Sequence, residues 1–258
     1  MRRERRFKNN HRKLTKFGYL LILTFLTIFI IIIFFLIYLS RLDKFIVLNR
    51  LDDGAGELVI IDPSIDKVKK YYINSETVLD SSRGYGEYKL KNLWTLAEKE
   101  GLGGKLVVES VAKNYSLPVY LWNDNRLNNL NIFQKTKLFF ISNTNDDYES
   151  EIESRELSKN ILINFINADV QESQIQFEII DLTGNQKVID NVSTILGTLG
   201  TKVSSYSKGY NDSLDCEVSG TVEQITKLIS KIFDCKVLDI NTENGIKIRL
   251  GEVFADRF

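Results

Sequence analysis

The chemistry open to this chain is narrowed first by its one histidine, His11, which lies in a basic N-terminal tail rather than in any folded part. Ser-His-Asp and Cys-His nucleophilic sites are therefore excluded. Asp52, Asp53 and Glu57 have the oxygen ligands to hold a divalent cation, although aspartates so placed are more often an acidic turn in water. Asp181-Leu182-Thr183-Gly184 sets backbone N–H groups where a phosphate could bind. It lacks both G-x-G-x-x-G and the Walker lysine, so its glycine reads as conformational. Gly84-Tyr85-Gly86 is a lone G-x-G and reads as a loop. Trp94 and Trp122 could stack on sugar rings, but their helical and strand spacing suits core positions. No metal or cofactor site is expected from this set.

Cys216 and Cys235 are the only cysteines. An even number permits a disulfide in an oxidising compartment, with two buried thiols as the alternative. Cys216 falls mid-strand and Cys235 begins the strand after the intervening helix, so neighbouring parallel strands would bring them together.

The elements that position these residues show in the periodicity. KFIVLNRL, GELVIIDP and KVKKYYIN are β-rich runs separated by turn sequences. Leu90, Leu93, Trp94 and Ala97 recur at helical spacing, and Val107, Val108, Val111, Ala112 and Tyr115 form a second stripe. Gly101-Leu102-Gly103-Gly104 separates the two and Pro118 closes the second. PVYLW is a short strand, NIFQKTKLFFIS is less regular, and residues 143–174 read as a polar linker or solvated helix. Beyond Gln174 the order is β-α-β-β-α-β-β, a compact sandwich with helices on one face of a sheet.

Residues 1–16 carry eight basic side chains against Glu4, a charge of +7, which leaves the rest of the chain at −7. Such a body has no basic excess for a nucleic-acid backbone, so no nucleic-acid partner is expected. Residues 17–40 contain no charge, and twenty-four such residues exceed the ~20 needed to cross a hydrocarbon core of about 30 Å. They are longer than the apolar region of a signal peptide. A transmembrane helix is expected there, with the basic tail cytoplasmic by the positive-inside rule. The expected localisation is the cell membrane, single-pass, with the C-terminal domains extracytoplasmic. The expected fold class is thus α+β: one N-terminal transmembrane helix, a small α/β segment over residues 44–142, the linker 143–174, and the C-terminal sandwich over residues 175–258.

FEIIDLTG, the helix end LGTLGTKV and the terminal IKIRLGEVF together resemble the LytR C-terminal domain, a module of bacterial cell-envelope proteins often found behind a LytR-CpsA-Psr domain. The match covers about residues 175–258. A second likeness covers residues 44–122, where ELVIIDPSIDKVKKYYIN, GYGEYKLKNLW and GLGGKLVVESVAKNYSLPVYLW are similar to the first half of the LytR-CpsA-Psr catalytic domain. That family transfers glycopolymers from a polyprenyl-pyrophosphate carrier to peptidoglycan, using arginines and acids around the pyrophosphate and Mg²⁺. Here the family's Pro-Arg-Asp is replaced by Ile73-Asn74-Ser75-Glu76, an early Asp-Ser-Arg-like segment has become Asn49-Arg50-Leu51-Asp52, and the second half has no counterpart. The segment therefore resembles a degenerate, truncated member.

That resemblance implies a membrane-anchored, extracytoplasmic envelope protein, non-catalytic, whose partner is a wall polymer or an envelope protein. The alternative is an active transferase of the LytR-CpsA-Psr kind, and only that alternative implies Mg²⁺. A transferase needs several fixed cations on the transferring group. Between Leu42 and Ser142 the only arginines are Arg50, Arg83 and Arg126, so these are the candidate residual anion site. Arg83 stands foremost because it lies in the loop replacing the family's motif. A transcriptional regulator, which some relatives' names suggest, is disfavoured by the extracytoplasmic placement.

Overall fold

The computed structural model describes Tyr19 and residues 21–34, 44–62, 67–124, 126–142, 150–152, 159–209, 213–238 and 245–258. The chain divides into two units, one comprising Met1–Asp43 with Pro63–Ile65 and the other Lys44–Asp62 with Asp66–Phe258.

In the first unit, helix α1 runs over residues 21–34. Thr24 and Thr27 turn their hydroxyls back onto the carbonyls of Leu21 and Thr24, both at 2.8 Å. Fourteen residues at about 1.5 Å each span roughly 21 Å, short of a hydrocarbon core of about 30 Å. No helix among the described residues is long and apolar enough to cross a membrane. This overturns the transmembrane helix expected over residues 17–40, and among the described residues the single-pass topology drawn from it has no such helix to rest on. The uncharged run is longer than the described helix; its remaining residues, apart from Tyr19, lie outside the described residues, as does the basic tail 1–16.

The second unit is α+β and carries two five-stranded sheets. In the first sheet β1 (Phe45–Arg50), β2 (Gly56–Asp62) and β3 (Lys67–Ile73) form an antiparallel meander, with Val47 opposite Val59 and Leu58 opposite Tyr71. β6 (Leu121–Asn123) adds parallel to β1, and β7 (Ser150–Glu151) adds parallel to β3, giving the order β6-β1-β2-β3-β7. Ile46, Leu48, Leu58 and Ile60 pack on one core, yet Val47, Val59 and Ile61 on the opposite face are buried too. Burial on both faces is why these strands read as continuous apolar runs rather than alternating ones. A hairpin of β4 (Val78–Asp80) and β5 (Glu87–Lys89) leads into α2 (Leu90–Lys99) and α3 (Gly104–Tyr115), whose stripes Leu90/Leu93/Trp94/Ala97 and Leu106/Val107/Val111/Tyr115 complete that core. α4 (Ile132–Ser142) follows. Ile152 and Phe165, both within the polar stretch 143–174, are buried in the same core, so that stretch supplies a fifth strand and an aromatic plug as well as short helices α5 (Lys159–Leu162) and α6 (Ala168–Glu172).

The second sheet contains β8 (Phe177–Asp181), β9 (Val203–Lys208), β10 (Cys216–Gly220), β11 (Lys236–Val237) and β12 (Ile246–Leu250), in the order β11-β10-β12-β8-β9. β8, β10 and β12 alternate buried and half-buried positions, so one face meets α7 (Gln186–Thr198) and α8 (Glu223–Phe233) while the other stays wet. α7 begins where the Asn185 side chain accepts from the Lys187 N–H, and its stripe Val188, Val192, Ile195 and Leu196 fills the core. A short last helix, α9 (Glu252–Arg257), folds Phe254 and Phe258 onto Phe233. Cys216 and Cys235 are joined by a disulfide with Cα atoms 4.5 Å apart. Parallel pairing of β10 with β11, Glu217 opposite Lys236, sets each cysteine one residue from that pair and side by side.

Candidate functional site

Two arginines of the candidate anion site, Arg83 and Arg50, are each paired with a carboxylate, and not the same one. Arg83 sits in a single 3-10 turn, Ser82–Gly84, at φ 64°, a left-handed conformation. The turn is pinned below by the buried Ser82 N–H donating to Ser110 Oγ at 2.9 Å. This aims the guanidinium at α3, where Nε and Nη2 each bond a different oxygen of Glu109 at 3.0 Å. Burial works to lower the Arg83 pKa, but the bond and charge of Glu109, with Asp234 beyond it, raise it on balance. Arg50, at the end of β1, pairs with Glu98 of α2 at 2.5 Å and lies over the Trp94 ring at 5.7 Å. Arg126 is exposed, and its backbone N–H donates to Asp124 Oδ1 at 3.0 Å. Glu76, between β3 and β4, lies between Lys89, 2.7 Å away, and Lys91. Hydrogen bonds from those two lysines pull its carboxyl down to about 2.

The other motifs resolve as local structure. Asp53 accepts the Ala55 N–H at 2.9 Å, whereas Glu57 is bonded to Asn49 and faces Lys70 at 3.9 Å. Among the described residues no group of His, Cys, Asp or Glu side chains has the arrangement to hold a metal ion. Asp181 Oδ1 accepts both the N–H and the hydroxyl of Thr183, and Thr183 Oγ1 accepts the Asn185 N–H, so amides that could meet a phosphate are spent on the turn. Trp94 is 1% exposed and belongs to the core.

Trp122 is different. It stands half-buried on β6 at the wall of a cleft of about 550 Å³. The cleft is lined by α3 (Lys105, Val108, Glu109), residues 119–122 leading into β6, the start of α4 (Asn131, Gln134) and the end of α8 (Lys231, Ile232, Asp234). The size falls within the usual range for a small-ligand site. The indole lies against Gly103 and Gly104, where an added Cβ would come within 2.9 Å of Trp122 Cη2 and 2.3 Å of Cε3 respectively. The glycine pair at the start of α3 thus seats the ring, because any side chain there would lift it. The wall is tied down by Asn129, whose Oδ1 accepts the Trp122 N–H at 2.8 Å and whose Nδ2 donates to the Tyr120 carbonyl at 2.9 Å. Asn131 and Gln134 cap α4 reciprocally: the Gln134 N–H donates to Asn131 Oδ1 at 2.9 Å and the Asn131 N–H to Gln134 Oε1 at 3.0 Å.

A charge cluster closes the cleft where α3 meets the second sheet's helices. Lys105 Nζ is 2.5 Å from Asp234 and 4.0 Å from Glu109. Arg257, from the last helix, bonds Asp215 Oδ1 at 2.8 Å and the Phe233 carbonyl at 2.8 Å, and approaches Glu109 at 4.0 Å. Burial would raise the Asp234 carboxyl, but Lys105, helped by Arg257 and Arg83, holds it below the ordinary aspartate value. Sequence reasoning missed this cluster because its two halves, Lys105 with Glu109 and Asp215 with Asp234 and Arg257, lie more than a hundred residues apart along the chain; Asn131 and Gln134 carried a local N-x-x-Q cap signal that could have marked the start of α4.

The geometry defines an α+β protein with a rigid, mixed aromatic and polar cleft. No protein-family model matches the chain, and no curated protein matches it. Similar solved structures include a transcriptional regulator from Enterococcus faecalis, at 11% identity over 77% of this chain and 90% of that one with a TM-score of 0.27. They also include the LytR-CPS2A-psr family protein YwtF with bound octaprenyl pyrophosphate lipid, at 12% identity over 76% of this chain and 91% of that one with a TM-score of 0.26. A weak structural neighbour of the LytR-CPS2A-psr family is therefore present, but likenesses at these TM-scores carry no argument about function.

Proposed function

We propose that this chain is an extracytoplasmic bacterial cell-envelope protein that binds a wall polymer or an envelope protein partner and does not itself transfer glycopolymer. In this reading residues 175–258 are a LytR C-terminal-like domain and residues 44–122 a LytR-CpsA-Psr-like segment that has lost its transfer site. The observation that carries it is the bidentate Arg83–Glu109 pair. Transfer from a pyrophosphate needs fixed cations aimed at the developing charge, and the foremost arginine is satisfied by a carboxylate of its own helix layer. Arg50 is likewise paired with Glu98. The disulfide between Cys216 and Cys235 supports an oxidising compartment.

The test is to incubate the purified chain with Mg²⁺ and a polyprenyl-pyrophosphate analogue, and in parallel to sediment it with isolated cell-wall material. Co-sedimentation without lipid phosphate release is the expected result. Phosphate release that disappears in Arg83→Ala would replace this reading with the transferase.

A further inference from the structure

We infer that the Trp122 cleft is a subsite for an uncharged oligosaccharide of flat, β-gluco-configured pyranose rings. The inference rests on the polymer-binding reading above and names the class of polymer unit and the residues that would hold it.

The argument begins with the indole. One side of Trp122 rests on the glycine pair, so the ring is held flat by backbone rather than by side chains that could rotate away. The bond from the Trp122 backbone N–H to Asn129 and the pairing of Trp122 with Leu48 across β1 and β6 fix the strand that carries it. A fixed aromatic surface opening on a cleft matches the apolar C–H face of a pyranose whose hydroxyls are all equatorial, and such rigidity lowers the ordering penalty on binding. Polar partners, Asn131 and Gln134, line the same cleft. Because the side-chain oxygens of Asn131 and Gln134 accept the capping N–H bonds, their NH₂ groups are the donors that remain for ring hydroxyls or acetamide oxygens.

Charge pairing disfavours the other polymer chemistry. The charged side chains lining the cleft are Lys105 and Lys231 against Glu109 and Asp234, a balance of zero. Lys105 is held by Asp234, and Glu109 by Arg83. A pyrophosphate or teichoic-type polyphosphate would meet cations already engaged by carboxylates, Lys105 by Asp234, Arg83 by Glu109 and Arg257 by Asp215, whereas a neutral sugar needs only the stacking surface and the amides.

The experiment is calorimetric titration of the purified full chain with cellotetraose and with chitotetraose, alongside inorganic pyrophosphate and a co-sedimentation assay with cell-wall material. At least one tetrasaccharide should bind, Trp122→Ala should weaken it at least tenfold, and pyrophosphate should not compete. Because Trp122→Ala also disturbs the seat on α3, Gln134→Glu serves as the second variant. It keeps the capping oxygen but removes the NH₂ donor, and should weaken binding several-fold without loss of thermal stability. Binding that survives both substitutions unchanged, or binding by neither tetrasaccharide, overturns the subsite. If the wall material still sediments the protein in that case, the polymer-binding reading stands and only the cleft assignment fails; if it does not, both fail.

Discussion

Gly104→Ala tests the seat of the cleft directly. Gly104 is the first residue of α3 and has no positive φ, so its backbone accepts an L side chain and any penalty must come from contact. The new Cβ would lie 2.3 Å from Trp122 Cε3, 2.4 Å from Cδ2 and 2.8 Å from Cγ, against an ordinary carbon–carbon separation of about 3.5–4.0 Å. The indole must therefore move by an ångström or more, and β6 cannot follow because Trp122 is tied to Leu48 and Asn129. Forcing a side chain out of a packed position costs about 1–3 kcal/mol, while replacing glycine by alanine within a helix returns roughly 0.5–1 kcal/mol. The net expectation is a loss of ~1–2 kcal/mol, read from the midpoint of urea unfolding at constant slope. In a Trp122→Ala background the clash is gone and the same substitution should be neutral or stabilising by about 0.5 kcal/mol, so the double-mutant cycle should show clear coupling. A neutral or stabilising Gly104→Ala in the native background would refute the seating of Trp122 on Gly104.

Three further outcomes follow from the geometry. Cys216→Ala should lower the stability of the second-sheet half by ~2–5 kcal/mol, measured by chemical unfolding under oxidising conditions, and reductant should erase the difference from wild type. Phe165→Ala should cost about 3–5 kcal/mol, since the ring is fully buried and stacks on Tyr71 at 6.3 Å; a small effect would mean that the stretch around it is no part of the first core. The Glu76 carboxyl is held below its ordinary value of 4.5, at about 2, by Lys89 and Lys91. Its contribution is therefore present above about pH 4.5 and lost as the pH falls toward 2, so wild type and Glu76→Gln should differ in stability near neutral pH and converge at about pH 2.

What the sequence showed of this fold depended on how local the signal was. The stripes Leu90/Leu93/Trp94/Ala97 and Val188/Val192/Ile195/Leu196 report their own burial and correspond to α2 and α7. β8, β10 and β12 alternate because only one sheet face is covered. β7 is two residues long in a polar stretch, and α9 is six residues long, too short for periodicity to mark either. The apolar run 17–40 reads as one span from its composition; the described helix covers 21–34, and no helix among the described residues is long and apolar enough to cross a membrane. At the site, the loop position of Arg83 could be read from the sequence, but its partner Glu109 lies 26 residues away on α3 and is set by tertiary packing. Trp122 carried both a core and a sugar-stacking reading. Its seat is Gly103 and Gly104, which in sequence read as a separator between helices and as part of the family resemblance.

The most direct test of the central claim uses the fact that the chain has two tryptophans, one in the core at 1% exposure and one in the cleft. Their two indole N–H resonances can be followed by NMR while cellotetraose or chitotetraose is added. A ligand seated on the glycine-backed ring should shift the Trp122 resonance in a saturable way and leave that of Trp94 in place. If the Trp122 resonance stays fixed while either sugar saturates the protein, or if neither resonance moves, the cleft is not the binding site.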